Sequence, residues 1–467
     1  MKMNKLMTGA FALTVVTSAT LPAFADGETP PPPVVSGVTM TQAFDRKVTI
    51  NYTLADGPAV ITLDVQTNAT PNAAADDPGW TSIGGEAIWN AAGDVWKKVE
   101  GDTTHTITWR PDQSWPGHKI TGNGARAVVT AWATNNTPDY MVVDLAAANT
   151  VRYYPSVDFL PGSVLGQTGT ITNNTAYKTS KLVMRKIMAQ GVEWTMGSAD
   201  GETQHYAERE VAHAVTLTSN YYIGVFEITQ AQWKNIATNS TAAAYFTVDG
   251  EKRPMEMVCY NEIRLKANSN AAATSAEITG YSWPNDPNPV SFLGLLRLKT
   301  GLDFDLPSDA QWEFAARAGH GSGYWGDGSK VLNTDTDANL NKLARYRGDN
   351  PGGTSATTST APTAGGTAIV GSYKPNSWGL YDMHGNVWEW CLDWYEDDVS
   401  AHGGNVNISL STPGNTLSGK AGANRVIRGS CWYHPAGRTR SAHRSNDPGT
   451  NRDRFDGFRV VCTAGLR

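Results

Sequence analysis

Charge is scarce in this chain: only 18% of its 467 residues are Asp, Glu, Lys or Arg, and acidic residues outnumber basic ones by 44 to 38. A formal charge of −6, more negative still if Lys2 and Lys5 leave with a signal peptide, argues against nucleic acid or an anionic membrane surface as partner. Long apolar runs are missing too. After the first residues nothing approaches the roughly 18 consecutive apolar residues that span a bilayer. Cysteine is rarer again, with Cys259, Cys391, Cys431 and Cys462 the whole complement. Recognisable catalytic signatures are also absent: there is no Gly-rich phosphate loop, no GxSxG nucleophile elbow and no glycosidase-like carboxylate pair. His205, His213, His384, His402, His434 and His443 show no HxxxH or other tight ligand spacing.

What the chain does hold is 16 Trp, 46 Gly and 24 Pro, a composition of compact, loop-rich, aromatic-cored structure. It opens with Lys2 and Lys5, the apolar "LMTGAFALTVVTSATL" and the small-x-small triplet Ala23-Phe24-Ala25, which predict an export signal over 1–25 with cleavage near Ala25. The mature protein is then secreted or periplasmic. In that compartment disulfides persist, so an even cysteine count favours structural bridges over working thiols, with three pairings open.

A Pro-rich tether, "TPPPPVV", occupies 26–35. The next segment alternates: in "KVTINYTL", Val48, Ile50, Tyr52 and Leu54 share one face, while Thr49, Asn51 and Thr53 take the other. With "AVITLDVQ", "HTITWRP", "ARAVVTAWA" and "MVVDL", this predicts an all-β immunoglobulin/fibronectin-like sandwich over 36–148. Trp80, Trp109 and Trp132 are read as its core rather than as a ligand platform. A linker over 149–190 leads to a second domain over 191–467. There Thr229, Ser291 and Ser308 are placed to start short helices, Ser308 with Gln311 as a capping box and Gly319 as the stop. The inserts "ANSNAAATSAE" and "GTSATTSTAPTAGG" read as surface loops.

The ordered series "EWTMGS", "YYIGVFEITQAQW", "LPSDAQWEFAARAG", "VGSYKPNSWGLYDMHGNVWEWCLDWY", "RVIRGSCW", "RSAHR" and "DGFRVV" resembles the sulfatase-modifying-factor domain, founded on the formylglycine-generating enzyme, over about Gly191 to Val461. The resemblance implies an α+β fold of C-type-lectin-like character with little regular secondary structure. In "YDMHGNVWEW", Asp382 and Glu389 are hard oxygen donors around a turn at Gly385, which suits Ca²⁺; the competing reading makes Glu389 an ion-paired structural carboxylate. The resemblance implies a structural Ca²⁺ at Asp382, the carbonyls of Gly385 and Val387, and Glu389, with Glu227 as a further ligand.

In the oxygen-dependent enzymes of this family two cysteines beyond the Arg-Gly-Gly-Ser-Trp segment hold Cu(I). Aligned on Trp432, those positions are His434 and Thr439, or Tyr433 and Arg438 if the register shifts by one; neither choice supplies a cysteine. Cys431 takes the place of the family's Ser and is a nearby thiol, not the catalytic one. Copper is therefore not expected. Two functions remain. One is an exported binding or scaffold protein for a peptide or glycan, with Trp432, Tyr433, His434, Arg438, Arg440, His443 and Arg444 lining the groove. The alternative is a protein-modifying oxidase of the formylglycine-generating, sulfatase-activating type with a rearranged metal centre. Arg444 reads better as a pin for the C-terminal loops than as a ligand contact.

Overall fold

Alternation of apolar side chains builds the first strands. The computed structural model describes residues 31–466, apart from 71, 102, 121–122, 147–149, 167–168, 267–272, 283–284, 350–364 and 401–423. The expected signal peptide, the first part of the tether and most of both low-complexity inserts lie outside the described residues. Strand β1 (Val34–Gln42) pairs antiparallel with β2 (Val48–Ala55), whose Val48, Ile50, Tyr52 and Leu54 are all buried, as the period of two requires. Strand β3 (Ala59–Thr67) belongs to a second small sheet, β4 (Thr103–Trp109) pairs with β2, and β5 (Ala125–Ala133) runs along the whole of β3. Ile50, Leu63, Ile107, Trp109 and Val129 from both sheets enter one apolar cluster.

The next strands depart from expectation. Strand β6 (Tyr140–Asp144), assigned from the sequence to the sandwich, lies instead between β7 (Thr150–Tyr154) and β8 (Lys181–Ile187) in a six-stranded sheet. The stretch expected as a linker thus supplies two strands. Both faces of β6 are apolar, since Met141, Val142 and Val143 are buried in succession, and such a strand belongs inside a larger sheet rather than at a half-wet surface. The sheet continues through β9 (Tyr221–Gly224) and the short C-terminal strand Val461–Thr463 to a two-residue strand, Phe304–Asp305, at its far edge. The cluster that begins at Ile50 runs on through Tyr154 and Val183 to Trp312, so one core serves both regions.

The helices start where their caps stand. Thr229 and Gln232 form a capping box at α1 (Gln230–Ile236), Ser291 caps α2 (Phe292–Thr300), and Ser308 with Gln311 opens α3 (Asp309–Arg317). The last ends on Ala318 and Gly319, both left-handed. Beyond it β10 (Trp388–Trp394) and β11 (Asn424–Arg428) pair antiparallel, with β12 (Arg444–Pro448) alongside β11. The whole is a mixed, β-rich structure with few and short helices. No helix among the described residues is long and apolar enough to cross a membrane.

The expected disulfides are not there: Cys259, Cys391, Cys431 and Cys462 are four free, buried thiols. Each has its own surroundings. Cys259 Sγ faces Glu262 at 3.5 Å, Cys391 Sγ the Glu389 carbonyl at 3.7 Å, and Cys431 Sγ the His434 ring at 3.5 Å, while Cys462 lies in the C-terminal strand of the large sheet. Burial pushes their pKa values up, to about 11 for Cys259 and about 12 for Cys462. Native protein should therefore give no reaction with a thiol reagent, and all four thiols should react in guanidinium without reductant. Fewer than four after unfolding would restore the bridges.

Candidate functional site

Strand β11 ends in Arg428, and the chain then turns sharply through Gly429 (φ 86°) and Ser430 (φ 69°). Gly429 is required, because a Cβ there would sit 3.0 Å from the Trp312 ring in addition to the left-handed backbone. The turn delivers Cys431 and Trp432 into the core and then brings Tyr433, His434 and Arg438 to the surface, with the 3₁₀ turn Ala436–Thr439 closing the loop.

Four of the seven expected groove residues are pinned inside rather than displayed. Trp432 is fully buried, its indole donating to the Arg454 carbonyl at 3.3 Å. Arg440 bridges Glu202 and Glu210, each at 2.8 Å, and His443 Nδ1 sits 3.2 Å from the same Glu210 carboxylate. Burial alone would raise the Glu210 pKa, but His443 and Arg440 beside it bring it down to about 2. Arg444 donates to Asp309 at 2.8 Å and to the carbonyls of Arg209, Glu396 and Asp397. The pinning role read for Arg444 holds, and it extends to Arg440, His443 and Trp432. A buried cation needs a paired anion, so arginines in a sequence this poor in charge go to the core's carboxylates.

Tyr433 and Arg438 remain exposed, with His434 half-buried between them. His434 Nδ1 faces the Cys431 thiol at 3.5 Å and Nε2 faces Arg438 Nη1 at 3.5 Å. Burial, with Arg438, His443 and Arg347 adding repulsion, lowers the His434 pKa to about 4, so the ring is neutral at physiological pH. Burial pushes the Cys431 thiol far up, and Asp456 nearby adds to it, so a protonated, inert thiol faces a neutral imidazole. Thr439 is fully buried and its hydroxyl donates to the Ala436 carbonyl at 2.6 Å. Residues that the sequence reading missed extend this face. Phe455 lies 5.3 Å from Tyr433, and the Arg454 guanidinium stands over the rings of Tyr245, Trp432 and Phe455 at 5.2, 5.6 and 5.2 Å. The signal was present in "NRDRFDGF", where two arginines and an aromatic precede a family motif.

The residues of the calcium set are brought together, and most of their carboxylate oxygens already have partners within the protein. Both Glu389 oxygens are engaged: Arg459 donates to each at 2.6 Å, and the Trp312 indole donates to one at 2.7 Å. Glu227 accepts from the Asn386 amide at 2.6 Å and the Val387 N–H at 3.2 Å. Asp382 accepts from Gly371 N–H, and only its Oδ1 is buried without a partner. Gly385, at φ 88°, packs too close to the Arg345 carbonyl for any side chain. Arg459 supplies the positive charge in this pocket, and among the described residues no three His, Cys, Asp or Glu side chains converge to hold a metal. Glu389 is ion-paired with Arg459, as one of its two readings required.

Comparison with known proteins places this geometry in a family. Residues 173–464 match the sulfatase-modifying factor enzyme 1-like domain, a span that takes in β8 and so begins earlier than the motifs alone indicated. The serine/threonine-protein kinase pkn1 of Chlamydia pneumoniae is 28% identical over 61% of this chain and 39% of its own length. The chaperone protein LppX of Paenibacillus barcinonensis is 30% identical over 45% of this chain and 77% of its own. The formylglycine-generating enzyme of Streptomyces coelicolor is 35% identical over 34% of this chain and 47% of its own. The kinase-named relative is thus matched over only about two fifths of its length. Through residues 173–464, well over half of its length, the chain belongs to the sulfatase-modifying factor enzyme 1-like domain family.

Proposed function

We propose that this chain is an exported binding protein of its family, using the 433–438 loop to hold a polar peptide or glycan, and that it does not carry out formylglycine formation. The observation that carries this is the chemistry at the two aligned catalytic positions. In one register they are a neutral imidazole and a buried hydroxyl that already donates to a carbonyl; in the other they are a phenol and a guanidinium. Neither pair offers the soft thiolates that Cu(I) prefers. Tyr433, Arg438, Phe455 and Arg454 instead present flat rings beside guanidinium groups, which suits hydrogen-bonding ligands with apolar faces. The relatives bear the names of a kinase, a chaperone and a formylglycine-generating enzyme, so the shared domain does not itself dictate catalysis.

The test is incubation of the full chain with Cu(I), O₂, a reductant and a peptide carrying a Cys-x-Pro-x-Arg motif. Mass spectrometry is expected to return the peptide cysteine unchanged. Conversion to the aldehyde, lost in Cys431→Ser, would overturn the binding assignment in favour of an oxidase with a rearranged centre.

A further inference from the structure

A cleft of about 400 Å³, away from the 433–438 loop, opens between the 89–92 turn of the first sheets and the edge of the six-stranded sheet. Its floor is apolar, made by the buried Val142 of β6 and Tyr154 of β7. Trp89 stands at its rim, 50% exposed, whereas every other tryptophan among the described residues is buried or half-buried. Three charged side chains from three neighbouring strands complete the lining. Lys181 of β8 pairs in register with Asp144 of β6, Nζ to Oδ2 at 3.5 Å. Arg152 of the edge strand β7 lies opposite Val142, is exposed, and stands near the buried Tyr154 hydroxyl, opposing the rise in that phenol's pKa that burial causes. No carboxylate pairs with Arg152 among the described residues.

The volume falls in the lower part of the range for small-molecule sites, which runs from about 300 to 1,000 Å³. Two cations face one anion, so the lining is positive on a protein whose net charge is −6. That balance narrows the ligand. A nucleotide would set its phosphates against Asp144, and a neutral sugar would leave Arg152 without its anion. A sugar acid satisfies every group: the C–H face of its ring covers the indole, its carboxylate takes the planar guanidinium in two parallel hydrogen bonds, and its hydroxyls bridge Asp144 and Lys181. The geometry points to a second binding site in this cleft for an acidic saccharide, with Trp89 as the stacking platform and Arg152 as the carboxylate anchor.

Isothermal titration calorimetry of the full chain with digalacturonate, and with uncharged galactobiose, tests this. Digalacturonate is expected to bind about tenfold or more tightly than galactobiose, the worth of a charge-assisted pair. Arg152→Gln should bring the two affinities together, and Trp89→Ala should weaken digalacturonate by about tenfold. Both side chains are exposed, so both variants should keep the parent melting temperature. Tyr433→Ala should leave digalacturonate binding unchanged, which separates this cleft from the loop of the proposed function. Absence of digalacturonate binding, equal affinity for the two sugars, insensitivity to the two cleft substitutions, or loss of binding in Tyr433→Ala would each overturn the assignment.

Discussion

Arg428→Ala is expected to lower the unfolding free energy by about 3–5 kcal/mol, the range for removing one partner of a buried ion pair. The guanidinium is completely buried and makes four separate bonds: to Asp309 Oδ1 at 2.5 Å, to Glu313 Oε2 at 2.7 Å, and to the carbonyls of Ser441 and His443 at 2.9 and 3.1 Å. Burial disfavours the cation, but the Asp309 and Glu313 carboxylates outweigh it and keep the group protonated. Alanine would strand Asp309 Oδ1, Glu313 Oε2 and two carbonyls away from water. The two acids keep other partners, Asp309 in Arg444 and Glu313 in Arg317 and the Gly197 N–H, which keeps the loss within that range. A typical domain has about 5–15 kcal/mol in total, so the variant loses a large share of its stability. Arg428→Lys should also destabilise, since an ammonium cannot reproduce a planar fork reaching four acceptors. Denaturant midpoints measure the effect, with exposed Arg438→Ala as the comparison, expected within about 0.5 kcal/mol of the parent. Equal midpoints for Arg428→Ala and Arg438→Ala would show that the buried network does not hold the C-terminal loop.

That network explains which parts of this protein can be read from its sequence. Alternation and capping are local signals, recurring within two to four residues, and Val48 to Leu54, Thr229, Ser291 and Ser308 all behave as their spacing dictates. Family motifs are local as well, and they locate the loop that follows β11. Whether an arginine in that loop faces solvent is a different kind of question, because its partner lies far away in the chain. Arg440 meets Glu202 and Glu210 across more than 200 residues, and Arg459 meets Glu389 across 70. No pattern along the chain announces such pairs, so Arg440 and His443 read as surface groups. The faint signal was compositional: "GETQHYAERE" concentrates acids in a chain that has few, and acids so placed need cations. Strand β6 was misplaced for a related reason, since an apolar run does not say which sheet will bury it. The cysteines misled because an even count is an argument about compartment, not about distance.

Replacing His434 is expected to cost less stability in acid than at neutral pH, and the difference measures how firmly the loop keeps this ring neutral. Its folded pKa is about 4, lowered first by burial and then by Arg438, His443 and Arg347, against about 6.5 for an unfolded histidine. A folded value below the unfolded one means the unfolded chain binds the extra proton. The contribution is therefore complete above about pH 6.5 and is lost as the pH falls through about 4. Geometry gives the same direction: Nε2 faces an Arg438 N–H at 3.5 Å, and a proton on that nitrogen would set donor against donor. Two and a half pH units of displacement correspond to about 3 kcal/mol, and partial contact with solvent reduces this to about 2. The parent protein's own pH curve will not isolate the effect. Glu256 and Asp393 are pushed up to about 7, chiefly by burial, and they gain stability as the pH falls over the same interval. The comparison of His434→Asn with the parent cancels those groups. At pH 7.5 the variant should be the less stable, having lost the ring packed 5.6 Å from Trp388, and by pH 4.5 the gap should shrink by about 2 kcal/mol or reverse. Adding Arg438→Gln to the parent removes one source of repulsion, so the His434 imidazole should titrate at higher pH by NMR. A gap that stays constant between pH 7.5 and 4.5, with a His434 titration unmoved by Arg438→Gln, would mean that the ring is solvated, and the neutral imidazole assigned to the first aligned catalytic position would have to be given up.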